Sequence, residues 1–260
     1  MRICVLASGS SGNCTLLESG GARVLLDVGL SWVRVERALL SVDVDPTSIN
    51  AIVVTHEHSD HCKGVGVAAR KLKCPVHVNV ETLGFIASKL ENVGRRQIVL
   101  TKAGESFMIE DLEFTPFPVP HDAVNPVGYV VRTNGLKVGV ATDLGYPTSV
   151  VKHSLKGCRA LVLESNHDRE MLLNGPYPFD LKQRIASKRG HLSNDQSADL
   201  LSEVIHDALE VVLLSHISQE NNTRELAFSV AAKTLNELNR QDVTIAMTYQ
   251  DRPSDLVSIE

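Results

Sequence analysis

Residues 55–61, Thr55-His56-Glu57-His58-Ser59-Asp60-His61, are the most informative segment of the chain. Four of these side chains can bind a metal, and they follow directly on the apolar run Ala51-Ile52-Val53-Val54. A buried strand that ends in a ligand-bearing loop is a rigid base for a metal site. Imidazole and carboxylate donors without cysteine suit a borderline divalent ion such as zinc, with manganese and iron as alternatives. We therefore predict a metal site at His56, His58, Asp60 and His61.

The length and composition are those of an ordinary globular protein. The chain has 260 residues, of which 43% are hydrophobic and 22% charged, and this balance excludes a disordered or collagenous protein. We see no internal repeat, low-complexity tract or linker, so we expect residues 1–260 to form a single domain. The net charge of −5 argues against a protein coated in positive charge for nucleic acid, but it leaves room for a local basic patch.

The cysteines and the apolar runs predict a cytoplasmic protein without a membrane segment. The five cysteines are scattered and lack CxxC spacing, which is typical of reduced thiols. No run approaches the roughly 18 apolar residues that a membrane span needs. The apolar stretch 3–7 is too short for the core of a signal peptide.

Further ligand candidates each lie just past a predicted strand. Short β-branched runs dominate the first 145 residues, and Asn134-Gly135 between two of them predicts a tight hairpin. The last third shows helical periodicity between strands. Such a pattern is consistent with two sheets sandwiched between helices, whose common edge would collect the strand-end residues Asp27, His121, Asp143 and His216.

Taken in chain order, these residues resemble the motifs of the metallo-β-lactamase superfamily over nearly the whole chain. The resemblance implies an α/β fold, an αββα sandwich of two mixed β-sheets flanked by helices. It also implies two divalent metal ions, the first held by His56, His58 and His121 and the second by Asp60, His61 and His216. Asp143 would bridge them, and Asp27 would orient a ligand histidine. True β-lactamases carry cysteine at the position of Asp143, so antibiotic hydrolysis is not expected.

Three strings outside the ligand set resemble the YycJ/WalJ family of nucleases. They are residues 6–14, 164–168 and 190–194, which read LASGSSGNC, ESNHD and GHLSN. The resemblance implies a binuclear metal-dependent phosphodiesterase, a 5′-to-3′ DNA exonuclease that acts through a hydroxide between the two metal ions. It further implies DNA and DNA-repair proteins as partners.

The same strings suggest catalytic residues besides the ligand Asp60. Glu164 and His191 resemble the carboxylate and histidine with which ribonuclease Z handles the leaving-group proton. His191 could instead cap the helix that we predict directly after it. His167 stays open between a catalytic and a structural role.

Two segments are candidates for substrate binding. The turn that contains Ser8, Ser10, Ser11 and Asn13 offers backbone N–H groups and hydroxyls to a phosphate, or is a flexible turn. Lys188 and Arg189, in a basic run over residues 182–189, are candidate phosphate contacts, although charge runs are often solvated helix faces.

Two other functions compete with the nuclease. One is a metal-dependent hydrolase of a small substrate, such as a cyclic phosphodiester, a thioester or a lactone. The 44 residues after His216 are expected to be too few for the glutathione-binding extension of a glyoxalase II. The other is a non-catalytic metal-binding scaffold, which an intact ligand set disfavours because clustered polar groups without a metal are costly to bury. The sequence does not determine the native metal or the oligomeric state. It also leaves open whether the substrate is DNA or RNA and whether the enzyme acts as an exonuclease or an endonuclease.

Overall fold

The computed structural model describes residues 1–260, whose strands form two mixed β-sheets of seven strands each. The first sheet contains β1 (Arg2–Ala7), β2 (Cys14–Glu18), β3 (Arg23–Leu26), β4 (Ala51–Val53), β5 (Val76–Asn79) and β6 (Ile98–Thr101). The second contains β7 (Phe107–Ile109), β8 (Leu112–Pro118), β9 (Val127–Thr133), β10 (Leu136–Ala141), β11 (Ala160–Glu164), β12 (Val211–Ser215) and β13 (Thr244–Met247). The last strand, β14 (Val257–Ser258), returns to the first sheet and pairs with β1.

Both sheets are antiparallel in one half and parallel in the other. In the first sheet β1, β2 and β3 pair antiparallel, whereas β3, β4, β5 and β6 are parallel neighbours. In the second sheet β7 to β10 are antiparallel, and β10, β11, β12 and β13 are parallel. Parallel neighbours end at the same edge of a sheet, so the residues that follow β3 and β4, and those that follow β10, β11 and β12, are brought side by side.

Helices cover the outer face of each sheet. In chain order they are α1 (Trp32–Ser41), α2 (Ser59–Cys62), α3 (Val65–Leu72), α4 (Val80–Ile86), α5 (Ser149–Leu155), α6 (Arg169–Asn174), α7 (Phe179–Ile185), α8 (Asn194–Val204) and α9 (Arg224–Glu237). Apolar faces of α1, α3 and α4 pack on the first sheet, and those of α5, α8 and α9 pack on the second. A third apolar cluster lies between the sheets. The predicted αββα sandwich is therefore confirmed, and none of its helices has the length and apolar character that crossing a membrane requires.

The core between the sheets is tied to the metal-binding loop. Phe114 and Tyr129 of the second sheet are fully buried there, and burial of such a side chain is worth roughly 1.5–3 kcal/mol. The hydroxyl of Tyr129 donates a hydrogen bond of 3.2 Å to the carbonyl oxygen of Val54. Val54 directly precedes residues 55–61, so packing between the sheets fixes the position at which that loop begins.

Some helix boundaries differ from those that the sequence predicts. The sequence pattern predicts a helix over residues 63–72, whereas the structure has α3 from Val65 and a separate helix, α2, before it. The two helices are separated at Gly64, whose N–H donates to the carbonyl oxygen of Val28. Ser31 directly precedes α1, and its side chain makes no capping hydrogen bond. The short helix α6 was not predicted, since six residues are too few for a helical period to stand out.

Gly29 is the residue where the loop after β3 meets the metal-binding loop. Its N–H donates to the carbonyl oxygen of Asn13 at 2.8 Å, and the N–H of Asn13 donates to that of Asp60 at 2.7 Å. A β-carbon on Gly29 would lie 1.6 Å from the Asp60 oxygen and 2.7 Å from the Asn13 nitrogen. Both obstacles are backbone atoms, so only glycine allows this approach without moving Asp60.

We expect Gly29→Ala to destabilise the protein, because the added methyl group forces the Asp60 backbone away. The free energy of unfolding should fall by at least about 1–3 kcal/mol, the usual cost of overpacking, as measured by urea denaturation. Gly20→Ala is the matched control, since a β-carbon there meets no atom within 4 Å. Equal unfolding midpoints for the two variants would contradict the packing argument.

Candidate metal centre

The seven predicted metal ligands lie together at one edge of the sandwich. His56, His58, Asp60 and His61 come from the loop after β4 and from α2, while His121, Asp143 and His216 follow β8, β10 and β12. Their donor atoms form two groups, each with members within 4.8 Å of one another. The first group is His56, His58 and His121, and the second is Asp60, His61, Asp143 and His216. These are donor sets that could hold metal ions.

Three of the strand-end residues have an unusual backbone conformation. The φ angles of Asp27, Asp143 and His216 are 61°, 55° and 55°. These values lie in the left-handed region, which residues other than glycine rarely adopt. Such conformations cost on the order of 1–3 kcal/mol each and concentrate at functional sites. Each strand thus turns sharply at its end, which directs the side chain towards the neighbouring donors.

Asp27 and Thr55 fix two histidines of the metal-binding loop. One Asp27 oxygen accepts the Thr55 N–H at 2.8 Å, and the other accepts the Thr55 hydroxyl at 2.8 Å and Nδ1–H of His61 at 2.7 Å. Because the Thr55 hydroxyl donates to Asp27, its oxygen is left to accept Nδ1–H of His56 at 2.9 Å. Both imidazoles therefore present an unprotonated Nε2 when they are neutral, which is the form that binds metals.

The other two buried histidines among the predicted ligands, His121 and His216, are fixed in the same way. Nδ1 of His121 donates to the carbonyl oxygen of Gly190 at 3.0 Å, and Nδ1 of His216 donates to Glu164 Oε1 at 2.8 Å. Nε2 of His56, Nε2 of His216 and Oδ2 of Asp143 are buried without a hydrogen-bond partner. Buried polar atoms without partners are costly, and a divalent cation would satisfy all three. The residues present therefore fit a metal.

Asp143 lies between the two groups of donors. Its Oδ2 lies 3.0 Å from Nε2 of His61, and its Oδ1 lies 3.7 Å from Nε2 of His121. Oδ2 of Asp60 lies 3.6 Å from Nε2 of His61 and 3.8 Å from Nε2 of His216. Donors around a tetrahedral ion with bonds of about 2.0–2.2 Å are separated by about 3.3–3.6 Å. The spacing is close to that of a coordination shell.

The buried charges shift the pKa values of the ligands. Burial lowers the pKa of His216, but the charge of Asp143, the nearby Asp60 carboxylate and the hydrogen bond to Glu164 raise that pKa to about 10. The pKa of His61 is also raised well above its ordinary value, since Asp143 and Asp27 outweigh its burial. A metal must displace the Nε2 protons of these two histidines, so metal binding is expected to release protons.

Glu164 holds both His216 and His191. It is fully buried, and its Oε1 accepts Nδ1–H from each of the two histidines at 2.8 Å. Its Oε2 accepts the backbone N–H groups of Leu144 and Leu192 at 2.8 and 3.2 Å. Burial would raise the pKa of Glu164, but the charge of His191 and the hydrogen bonds from the His191 and His216 side chains lower that pKa to about 2. The sequence pointed to Glu164 as a partner of His191 but not of His216.

His191 lies beside both groups of donors. The centre of its ring is 5.1 Å from that of His121 and 5.0 Å from that of His216. The alternative that His191 caps the following helix is wrong, because the Ser193 side chain accepts the Gln196 N–H and caps α8. The side chain of His191 is free for another role.

The N-terminal turn supports the ligands from behind. Ser8 is buried, and its hydroxyl oxygen accepts the His216 N–H at 2.7 Å and bonds with the Ser215 hydroxyl. Nδ2 of Asn13 lies 3.3 Å from Oδ2 of Asp60 and 2.9 Å from Nε2 of His61. Ser8 and Asn13 thus bond to the metal centre instead of facing a substrate as the sequence suggested, because the turn folds inwards. Ser10 and Ser11 are exposed.

The cavity at the metal centre is lined by a basic residue that the sequence did not single out. This cavity of about 180 Å³ is lined by Asp122, Arg184, His191 and His216 among others. Nε of Arg184 donates to Oδ2 of Asp122 at 2.5 Å. Arg184 belongs to the predicted basic run, whereas Asp122 is 62 positions away in the sequence.

The two predicted phosphate contacts, Lys188 and Arg189, lie on an exposed loop next to this cavity. Nε of Arg189 donates to the carbonyl oxygen of His121 at 3.2 Å, and the Lys188 ammonium lies 5.4 Å from the centre of the Tyr146 ring. Neither residue lines the cavity itself.

Comparison with known proteins agrees with this geometry. Residues 22–217 match the family model described as a beta-lactamase superfamily domain. Over 237 residues the chain is 38% identical to the exodeoxyribonuclease YycJ of Bacillus anthracis, which covers 91% of this chain and 90% of that protein. Over 251 residues it is 34% identical to the exodeoxyribonuclease WalJ of Streptococcus pneumoniae, and this match covers 96% of this chain and 92% of WalJ.

A solved structure shares the fold. The metallo-β-lactamase fold protein YhfI of Bacillus subtilis superimposes with a TM-score of 0.72 at 12% sequence identity, covering 97% of this chain and 98% of YhfI. At that identity the match supports the architecture alone, while the family follows from the sequence matches. The chain belongs to the metallo-β-lactamase superfamily and, within it, to the YycJ/WalJ family.

Proposed function

We propose that this metallo-hydrolase is a binuclear metal-dependent DNA exonuclease that degrades its substrate from the 5′ end. The observation that carries the proposal is the division of the donors into two groups with Asp143 between them. The names of the two relatives, both exodeoxyribonucleases, support DNA as the substrate. From the family resemblance we assign the activity to DNA repair in the cytoplasm.

The two groups of donors suit two divalent ions. His56, His58 and His121 would hold one ion, and Asp60, His61 and His216 the other, with Asp143 shared between them. Imidazole and carboxylate donors favour zinc, with manganese or iron as the alternatives. When bound, two such ions activate a water molecule and neutralise the charge of a phosphodiester.

Arg184 is placed to bind the phosphate of the substrate. Asp122 accepts a hydrogen bond from Nε of Arg184 and so holds the guanidinium at the cavity. The remaining N–H groups can then donate to a non-bridging phosphate oxygen, and charge-assisted bonds of this kind are the strong ones. Lys188 and Arg189 flank the same opening and would contact a neighbouring phosphate, as would the exposed Ser10 and Ser11.

His191 is the proposed general acid. Glu164 accepts its Nδ1–H at 2.8 Å, so Nε2 is the nitrogen that can deliver a proton to the substrate. Water adds to phosphorus and loses a proton to solvent, the bond from phosphorus to the 3′-oxygen breaks, and the leaving oxygen takes the Nε2 proton. The released nucleotide gains a 3′-hydroxyl, the shortened strand carries the new 5′-phosphate, and solvent returns a proton to His191.

We expect metal-loaded protein to degrade end-labelled DNA from one end. A 5′ label should leave at once as a mononucleotide, while a 3′ label should mark a ladder that shortens progressively, as resolved on a denaturing gel. His56→Ala should be inactive because it removes a metal ligand. His153→Ala, which changes an exposed histidine outside the donor groups and the cavity at the metal centre, is the matched control and should keep full activity.

Different products would point to a different function. Internal cuts would indicate an endonuclease, and equal or faster cleavage of RNA would remove DNA as the specific substrate. Hydrolysis of a cyclic phosphodiester, thioester or lactone without any action on nucleic acid would overturn the nuclease and favour the small-substrate hydrolase.

We expect His191→Ala to lower kcat on DNA by about 10²–10⁴-fold, the usual contribution of general acid catalysis. Metal content and KM should change little, because the predicted ligands remain. Turnover of a p-nitrophenyl phosphodiester should fall much less, since nitrophenolate leaves without a proton. Steady-state rates on both substrates, with His153→Ala as control, test this assignment. A uniform loss on both leaving groups would assign His191 to phosphate binding or to structure instead.

A further inference from the structure

A second cavity lies on the other side of helix α7 from the metal centre. This α7 pocket has a volume of about 490 Å³, with walls formed by Leu172, Leu173, Phe179 and Ala186. Leu173 and Phe179 are 68% and 69% exposed, unusually high values for large apolar side chains so close together. Contiguous exposed apolar surface is a feature of ligand-binding grooves and interaction sites.

The polar groups of the α7 pocket are basic or neutral. Arg169 and Lys182 lie at its lining, and no acidic residue does. Arg169 has only a distant ionic contact, 3.8 Å from Asp195, and it is 63% exposed. The pocket therefore combines an aromatic wall with positive charge.

His167 gives the pocket an unpaired polar group. It lines the pocket, it is only 2% exposed, and its buried Nδ1 has no hydrogen-bond partner. Burial lowers the pKa of His167 to about 4 despite the charge of Glu164, so the ring is neutral at pH 7. A neutral imidazole suits the edge of an uncharged ligand that both donates and accepts hydrogen bonds.

Helix α7 lies between the two cavities and lines both of them. Leu181 and Arg184 face the metal centre, whereas Phe179 and Lys182 of the same helix line the α7 pocket. A helix with its side chains is about 10–12 Å across, so the path over it is about 16–19 Å long. That distance corresponds to about five stacked nucleotides at 3.4 Å each. A strand that lies in the metal centre can thus reach the α7 pocket by passing over α7.

We infer that the α7 pocket binds a nucleobase of a single DNA strand whose terminal phosphodiester lies in the metal centre. This inference rests on the proposed function. Stacking of a base on Phe179 and packing on Leu173 would use the apolar walls, and Arg169 and Lys182 would contact the flanking phosphates. Aromatic platforms with neighbouring cations are the usual way in which proteins hold single strands. The unpaired His167 would face the edge of the base.

Phe179→Ala is the direct test. We expect it to weaken binding of a single-stranded oligonucleotide by about 5- to 150-fold, the effect of losing one stacked base. Binding is measured by fluorescence anisotropy on metal-loaded protein, with phosphorothioate linkages at the oligonucleotide ends to slow hydrolysis. Phe85→Ala is the matched control, because Phe85 is 64% exposed on α4 and away from both cavities, and it should leave the affinity unchanged.

Abasic sites in the oligonucleotide show whether Phe179 contacts a base. One position should exist where removal of the base weakens binding to the wild-type protein, and the same removal should have no effect on Phe179→Ala. That coupling is expected of a side chain and a base that touch. Additive effects at every position, or unchanged affinity of Phe179→Ala, would overturn the inference.

The outcomes also separate this inference from the proposed function. If the wild-type protein degraded DNA but showed no coupling between Phe179 and a base, only the inference about the α7 pocket would be overturned. No binding of DNA by the wild-type protein would overturn both. If Phe179→Ala instead altered the mass in solution by light scattering and left DNA affinity intact, the pocket would be a contact between copies of the chain, and the inference would fail.

Discussion

The metal centre depends on hydrogen bonds that the buried ligand histidines donate through Nδ1. A neutral imidazole has one proton, and an oxygen that accepts it at Nδ1 leaves the Nε2 lone pair for a metal. Asp27, the carbonyl oxygen of Gly190 and Glu164 supply such acceptors for His61, His121 and His216. Loss of partners of this kind typically lowers metal affinity or activity by about 10–100-fold. The acceptors therefore matter nearly as much as the ligands.

The β-sheets place these acceptors where they are needed. β10, β11 and β12 are parallel neighbours, so Asp143, Glu164 and His216 reach the same edge one strand apart. The left-handed turns at Asp143 and His216 then direct their side chains inwards. Gly29 performs the corresponding task in the first sheet, because its missing side chain lets the loop after β3 support Asp60. Backbone strain and close packing at the strand ends are offset by the large apolar cores behind them.

The family resemblance predicted the αββα sandwich. The sequence itself predicted the set of strand-end residues, because ligand residue types after apolar runs are visible without a structure. It could not predict that Glu164 also holds His216, since this contact depends on the pairing of Glu164 with Ser215 across β11 and β12. Nor could it show that Ser8 and Asn13 are buried behind the ligands, because a glycine-rich turn can fold inwards or outwards. The contact of Arg184 with Asp122 joins distant segments and leaves no local signal.

Anomalous diffraction from crystals of zinc-loaded protein would locate the metal ions. We expect two zinc peaks per chain, separated by about 3.5–4 Å as in other two-metal sites. The first should lie among His56, His58 and His121, the second among Asp60, His61 and His216, and Asp143 should contact both. A single peak, or two peaks of which only one contacts Asp143, would contradict this expectation.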